Sequence, residues 1–246
     1  MYEVLKKRYG QNFLIDNNIL NKISHLIPKN NLSIIEIGPG DGRLSDYILK
    51  KNPLKFLLIE IDAELISILK TKYENMQKIK IINKDILNYE IDEKIELIIS
   101  NLPYNISSQI LAKICLLKNK PDNLILMFQK EFAERLLEKK LNSLNCLVNC
   151  FYEIEHKFEV SKNCFRPKPK VDSKVLFFSK KSQDLLKVNE LDKFILFKRK
   201  LFSQKRKALN NILKKFRENL NEFDLALRPE NLELKELIKI FRKINL

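Results

Sequence analysis

The chain has 246 residues, enough for one large α/β domain with a smaller appendage. Lys and Arg number 46 against 31 Asp and Glu, a formal charge of +15 with a pI near 9.5; this suits a polyanionic partner, although a composition biased towards Lys, Ile and Asn accounts for part of the excess. The four cysteines, Cys115, Cys146, Cys150 and Cys164, are too few and too irregularly placed for a disulfide framework, and neither His25 nor His156 stands at metal-ligand spacing from them, so disulfide-stapled and metal-centred classes drop out.

The run from Met1 to Arg8 lacks the apolar core of a signal peptide, and no apolar run approaches the ~20 residues of a membrane helix. A soluble, cytoplasmic protein with no membrane partner is expected. From Ser33 onward, short runs rich in β-branched residues recur: Ser33 to Ile37, Lys55 to Glu60, Ile79 to Asn83, Ile95 to Ser100 and Leu124 to Phe128. They are apolar almost throughout, not alternating, which marks strands buried on both faces. That pattern predicts a mostly parallel sheet clothed by helices, the doubly wound, Rossmann-like α/β class. Helices between the runs show in the apolar spacing of Leu65, Ile66, Leu69 and Tyr73, and of Ile110, Leu111, Ile114 and Leu117. A nucleotide-type ligand in such a fold sits at the carboxyl ends of the strands.

Directly after the first run comes Glu36-Ile37-Gly38-Pro39-Gly40-Asp41-Gly42, with a helix expected to begin near Arg43. Three of the four glycines of the chain are here. Such a turn uses residues without Cβ so that the backbone can take positive φ and approach a ligand closely. Alone the spacing is unspecific, because nicotinamide, flavin and S-adenosylmethionine proteins use close variants and a plain tight turn also fits. Glu60 ends the second run, where its carboxylate can accept from ribose hydroxyls or simply face solvent. Asp85 follows the third, where it can accept from an adenine amino group or cap a turn.

Asn101-Leu102-Pro103-Tyr104 follows the fourth run and so lands on the same rim. Adenine N6 is a poor nucleophile because its lone pair is delocalised into the ring. Two acceptors, the Asn101 side-chain carbonyl and a backbone carbonyl near Leu102, can each take one N6 hydrogen and leave the lone pair aimed at an electrophile. Pro103 would fix the backbone, and Tyr104 offers a face on which a base can stack. The plainer reading of the tetrapeptide is turn chemistry with Tyr104 in the core. Together with the glycine turn, the residues point to methyl transfer onto an amino group.

Further on, a helical stretch runs from about Glu131 to Lys139. Ile154 to Val160 and Val171 to Phe178 read as later strands around the loop Phe165-Arg166-Pro167-Lys168-Pro169, where proline cannot donate to a ladder. Lys180 to Asn189 reads as a linker, and Asp192 to Leu246 shows only helical periodicity. The expected domains are therefore 1–183 and an all-α 184–246. A helix holding Lys198, Arg199, Lys200, Lys205, Arg206 and Lys207 presents either a phosphate-binding face or a merely solvated one.

These blocks, with Tyr9-Gly10-Gln11-Asn12-Phe13-Leu14, Asn105-Ile106-Ser107, Phe165 to Ser173 and Phe202 to Lys207, run nearly the length of the chain. By them the chain resembles the KsgA family of small-subunit ribosomal RNA adenine-N6,N6-dimethyltransferases. The resemblance implies that Asn12, Leu14, Gly38, Glu60, Asp85 and Asn101, with Gly40 of the turn, line a site for S-adenosylmethionine. It implies a catalytic set of Asn101, Leu102, Pro103 and Tyr104, with Phe165 against the target adenine opposite Tyr104; the residues alone make Phe165 a core or loop anchor. It tips Arg206 and Lys207 towards RNA binding. The implied substrate is a pair of adjacent adenosines in the 3′-terminal hairpin loop of 16S rRNA, within an immature small ribosomal subunit, and a monomeric enzyme is expected. Relatives often carry Gly where this chain has Ser100, a change expected to matter little. The rivals are an erythromycin-resistance methylase acting on 23S rRNA, which generally reads Ile for Leu102, a noncatalytic assembly factor, and an NAD-dependent oxidoreductase.

Overall fold

The structure, a computed structural model, describes residues 11–204 and 206–245. Tyr9, Gly10, Lys205 and the run from Met1 to Arg8 lie outside the described residues. The chain forms two compact units, one of residues up to Ala133 together with Ile154–Lys180, the other of Glu134–Glu153 together with residues from Lys181 on.

The first unit holds β1 (Phe13–Leu14), α1 (Asn17–His25), β2 (Ser33–Ile37), α2 (Arg43–Leu49), β3 (Lys55–Glu60), α3 (Ala63–Lys72), β4 (Ile79–Asn83), β5 (Leu97–Asn101), α4 (Ser107–Leu116) and β6 (Asn123–Gln129). α5 (Lys130–Leu137) leads out of it towards α6 (Asn145–Val148), and β7 (Tyr152–Val160), β8 (Phe165–Arg166) and β9 (Ser173–Lys180) follow. Seven strands make one sheet in the order β4-β3-β2-β5-β6-β9-β7, and β1 pairs with β8 in a separate two-stranded ladder. β4, β3, β2, β5 and β6 run parallel, and β9 returns antiparallel to β6.

Burial explains the composition of each strand. Every residue of β2 is buried, as is β3 beyond Lys55, so both faces demand apolar side chains. Strand β4, at the sheet edge, is half-exposed and carries the exposed Lys80, a charge that discourages edge pairing. The helices begin where the sequence supplies caps. Asp16 accepts from the backbone of Asn18 and Ile19 to open α1, and Asp62 accepts from Glu64 to open α3. The connection from β4 to β5 contains only a 3₁₀ turn, Ile86–Asn88, capped by Asp85. Strand order reverses between β2 and β5, because β3 and β4 extend the sheet on one side and β6 on the other. That switch point is where an open α/β sheet leaves a crevice.

The second unit is built on α6, α7 (Leu191–Ser203), α8 (Leu209–Ile212) and α9 (Leu234–Asn245), with short 3₁₀ turns between. Phe194, Phe197 and Phe241 pack with ring centroids 5.2–6.2 Å apart. A single linear boundary after residue 183 misses that 134–153 belongs here. Long-range bonds tie that excursion to the tail: the Lys198 ammonium donates to the Ser143 carbonyl at 2.8 Å, and the backbone N–H groups of Leu141 and Leu185 donate to the carbonyls of Glu230 and Cys150. Lys198 is therefore buried and cannot serve as a phosphate contact. The expected cationic helix also ends at Ser203, so Arg206 and Lys207 stand exposed in the turn beyond it. Helix α6 ends before Cys150, whose thiol donates to the Cys146 carbonyl, and burial pushes the Cys146 thiol up to about 12, which makes it inert.

Candidate active site

A cavity of about 230 Å³ opens at the carboxyl ends of β2, β3 and β5, at the switch point. Its wall comes from the glycine turn, from Glu60 and Asp85, from Asn101 to Ile106, and from Gln11 to Leu14.

The glycine turn is clamped from outside. Gly40 has φ +62°, and a Cβ there would stand 2.6 Å from the Phe13 ring. Gly42, at φ +81°, is the residue from which α2 starts, and a Cβ there would meet the Tyr73 hydroxyl at 2.6 Å. That hydroxyl lies 3.0 Å from the Gly42 carbonyl and 2.8 Å from the Asp46 carboxylate, while Lys72 Nζ donates to the Asp41 and Gly42 carbonyls and to Asp46. Burial raises the Tyr73 hydroxyl well above its ordinary range, so it stays a donor. At Gly38, which lines the cavity, an added Cβ would meet nothing within 4 Å, so the space beside the turn is open to a ligand.

Two buried carboxyls lie under this turn. Glu36, on β2, accepts from the Ser45 hydroxyl; burial, opposed by that bond, pushes its carboxyl up to about 8, so it is mostly protonated at neutral pH. Glu60 accepts from the backbone N–H groups of Ile61, Asp62 and Gly40, at 2.9, 3.0 and 3.2 Å. Burial raises its proton affinity and those three bonds oppose the rise. They occupy most of the roughly four acceptor positions of a carboxylate, which leaves about one for a ligand hydroxyl. Asp85 lines the cavity and also caps its 3₁₀ turn, one oxygen accepting from Leu87 N at 2.9 Å.

At the end of β5, Asn101 donates its amide nitrogen to the Asn12 carbonyl at 2.9 Å. This long-range bond fixes the amide, with its carbonyl oxygen left as an acceptor in the cavity wall. The Leu102 side chain is buried, and among the described residues its backbone carbonyl accepts no hydrogen bond, whereas the Pro103 carbonyl is taken by Ser107 Oγ and Ile106 N. Two acceptors thus stand on adjacent residues. The Tyr104 hydroxyl meets Ser173 Oγ at 2.8 Å, and its ring lines the cavity. Among the described residues no group of three or more His, Cys, Asp or Glu is placed to hold a metal ion, and no helix is long and apolar enough to cross a membrane.

Residues 3–242 match the family model described as ribosomal RNA adenine dimethylase. The chain belongs to that family. It is 38% identical to the ribosomal RNA small subunit methyltransferase A of Pelagibacter ubique, an alignment covering 99% of this chain and 98% of the relative. It is 40% identical to the protein of the same description from Flavobacterium johnsoniae, over 97% and 95% of the two chains. The crystal structure of a dimethyladenosine transferase from Plasmodium falciparum superposes with a TM-score of 0.81 at 27% identity, covering 95% of this chain and 97% of the other. The 23S rRNA methyltransferase ErmE superposes at 0.74 with 20% identity, over 95% of this chain and 100% of that one, and so shares the fold. The family uses S-adenosylmethionine as methyl donor, and the residues fit it: an open glycine cradle, an acidic residue at the end of β3 and a second at the end of β4.

Of the residues singled out in the sequence, Asn12, Leu14, Gly38, Gly40, Glu60, Asp85 and Asn101 to Tyr104 all reach the cavity. Phe165 does not. It is fully buried in the core beside Leu14, its partner across the β1–β8 ladder, and has no surface against which a base could pack. Arg206 and Lys207 belong to the second unit. Ser100 does more than a small-residue swap suggests, since its buried hydroxyl donates to the Ile37 carbonyl and pins β5 to the start of the glycine turn. The sequence gives little sign of the clamp by Lys72 and Tyr73. Tyr73 read as one more apolar helix position, and only its hydroxyl, costly to bury without a partner, signalled otherwise.

Proposed function

We propose that this chain transfers methyl groups from S-adenosylmethionine to the exocyclic N6 of two adjacent adenosines in the 3′-terminal hairpin loop of 16S rRNA, giving N6,N6-dimethyladenosine in the immature small subunit. It acts in the cytoplasm as a monomer. The observation that carries the reading is the pair of acceptors at the end of β5: the Asn101 side-chain carbonyl, oriented by the bond from its amide nitrogen to Asn12, and the Leu102 carbonyl, which no described residue engages.

In the first transfer each acceptor accepts a hydrogen bond from one N6–H, which turns the amino group out of conjugation and directs its lone pair away from both; in the second, the one remaining N–H bonds to one of them. Pro103, next in the chain, restricts the backbone that carries the Leu102 carbonyl. The Tyr104 ring carries the base, held in place by the bond to Ser173; stacking of this kind contributes ~1–3 kcal/mol per base. S-adenosylmethionine, when bound, supplies a methyl carbon already activated on a sulfonium. No side chain need act as a base before transfer, and the methylated nitrogen loses its proton to water afterwards. Gly38, Gly40, Asn12 and Leu14 flank the cofactor, Glu60 takes a ribose hydroxyl, and Asp85 accepts from the cofactor's adenine. Exposed Arg206 and Lys207 contact RNA phosphates.

The test is transfer of labelled methyl to small ribosomal subunits lacking the modification, followed by nuclease digestion and nucleoside identification. Dimethyladenosine confined to the 3′-terminal hairpin is expected. Label on 23S rRNA instead would assign the chain to the resistance methylases, and no label with intact cofactor binding would leave an assembly factor.

A further inference from the structure

The loop between β8 and β9 is tied at both ends to the wall of the cavity. At its start Arg166 pairs with Phe13, which lines the cavity; at its end Ser173 opens β9 and bonds the Tyr104 hydroxyl. Between these anchors the sequence reads Arg166-Pro167-Lys168-Pro169-Lys170-Val171. The two prolines have no N–H to give, and residues 167–172 join no ladder. Arg166, Lys168 and Lys170 are all exposed.

Their lack of counter-charge separates them from their neighbours. Lys130 and Lys174 both pair with Glu159, and Lys157 pairs with Glu155. Among the described residues, Arg166, Lys168 and Lys170 form no ion pair, and Asp172, the acidic residue of the loop, is turned to the Lys162 backbone N–H at 2.8 Å. Three cations within five residues, none in an ion pair with a described residue, repel one another, and an anion laid across them relieves that repulsion.

We propose that Arg166, Lys168 and Lys170 form a strap that binds the RNA phosphates flanking the target adenosine. The inference rests on the RNA-methylating reading above and adds to it a contact surface at the rim of the cavity, separate from Arg206 and Lys207. Phosphate contacts of this kind fix the register of a strand without reading its sequence. The strap would therefore set which nucleotide faces Tyr104, while the acceptors on Asn101 and Leu102 recognise the base.

The experiment compares three full-length proteins: wild type, a loop variant with Arg166→Gln, Lys168→Gln and Lys170→Gln, and a control with Lys70→Gln, Lys80→Gln and Lys118→Gln. The control removes the same charge from exposed sites elsewhere in the first unit. Binding to unmodified small ribosomal subunits is followed from 50 to 200 mM salt, and cofactor affinity is measured in parallel. The slope of log affinity against log salt should fall by about 2 in the loop variant, taking ~0.7 for each single-strand phosphate contact. Wild type should accordingly lose roughly fifteen- to twentyfold more affinity than the loop variant over that salt range. The control slope should stay near wild type, as should cofactor affinity in both variants. Equal falls in both variants, no fall in either, or a matching loss of cofactor affinity in the loop variant would each overturn the strap. Failure of the wild-type protein to methylate these subunits would instead count against the proposed activity, and the slopes would still be read independently.

Discussion

On the side of the cavity made by the glycine turn, four backbone groups are held by side chains: the Asp41 and Gly42 carbonyls by Lys72, the latter also by Tyr73, the Gly40 N–H by Glu60 and the Ile37 carbonyl by Ser100. The side made by Asn101 to Tyr104 is held by single bonds to distant segments, Asn12 on one flank and Ser173 on the other. The first wall is prepared for a ligand of fixed shape before it arrives. The second is held through fewer bonds, one from Asn101 to Asn12 and one between Tyr104 and Ser173, so its geometry has more room to respond to what binds. Side chains that touch the base wall should therefore govern turnover, and those under the glycine turn should govern cofactor affinity and stability.

Asn101→Ala tests that division most severely. Removing an acceptor aimed at the reacting amino group should lower turnover by at least about a hundredfold, by analogy with the loss of a single transition-state hydrogen-bonding group. Single-turnover transfer with a protein whose unfolding midpoint is unchanged is the measurement, and activity within a few-fold of wild type would refute the two-acceptor arrangement.

Gly40→Ala comes next, and acts on the other wall. It imposes positive φ on a side chain and drives a methyl into Phe13, together costing roughly 1–3 kcal/mol. Cofactor binding, measured by calorimetry, should weaken on the order of tenfold or more, and Phe13→Ala in the same chain should recover part of it. Gly38→Ala carries the same positive φ but meets no protein atom within 4 Å, so it should cost less stability, although its methyl enters the space left for the ligand and cofactor binding should weaken there too. Equal losses of stability at the two glycines, with no recovery from Phe13→Ala, would show that the Phe13 contact is irrelevant.

Smaller effects are expected from Tyr104→Phe and Ser173→Ala. Each removes the same hydroxyl pair, worth ~1 kcal/mol, so each should raise KM for RNA a few-fold and the double variant should do no more. Additive effects would mean that the two hydroxyls act separately.

Glu36 gives the mildest test, read in stability against pH. Its folded proton affinity lies above the unfolded value of 4.5, so the folded protein holds a proton that the unfolded chain releases. Its contribution is fully present below about 4.5 and is lost as pH rises towards about 8. Glu36→Gln should therefore flatten the decline in stability across that window, seen by chemical denaturation at several pH values. A variant with the wild-type slope would remove Glu36 as its source.

The parallel sheet was legible because strands buried on both faces cannot hide their composition, and the glycine turn because positive φ and close approach leave few alternatives to Gly. Asn101 to Tyr104 stood out by chemistry and by position after a buried strand. What escaped was held by partners distant in the chain. Strands of two residues, β1 and β8, have no period to detect, and their pairing is what buries Phe165. Lys198 looked like its cationic neighbours until its bond to Ser143, 55 residues earlier, placed it inside. The two basic triplets, Lys198 to Lys200 and Lys205 to Lys207, stand at a spacing that a helix would accommodate, and nothing in the Leu-Phe-Ser-Gln between them marks the helix end at Ser203.

The β1–β8 ladder has a thermodynamic consequence. Two residue pairs are too few to be stable alone, so whatever holds Phe13 and Leu14 against the cavity also helps to hold Phe165 and Arg166, and the reverse. A ligand that orders one strand thus lowers the entropic cost of ordering the other. On the roles proposed above, with the cofactor against β1 and RNA against the strap that begins in β8, such coupling must be reciprocal: any factor by which the cofactor tightens RNA binding equals the factor by which RNA tightens the cofactor.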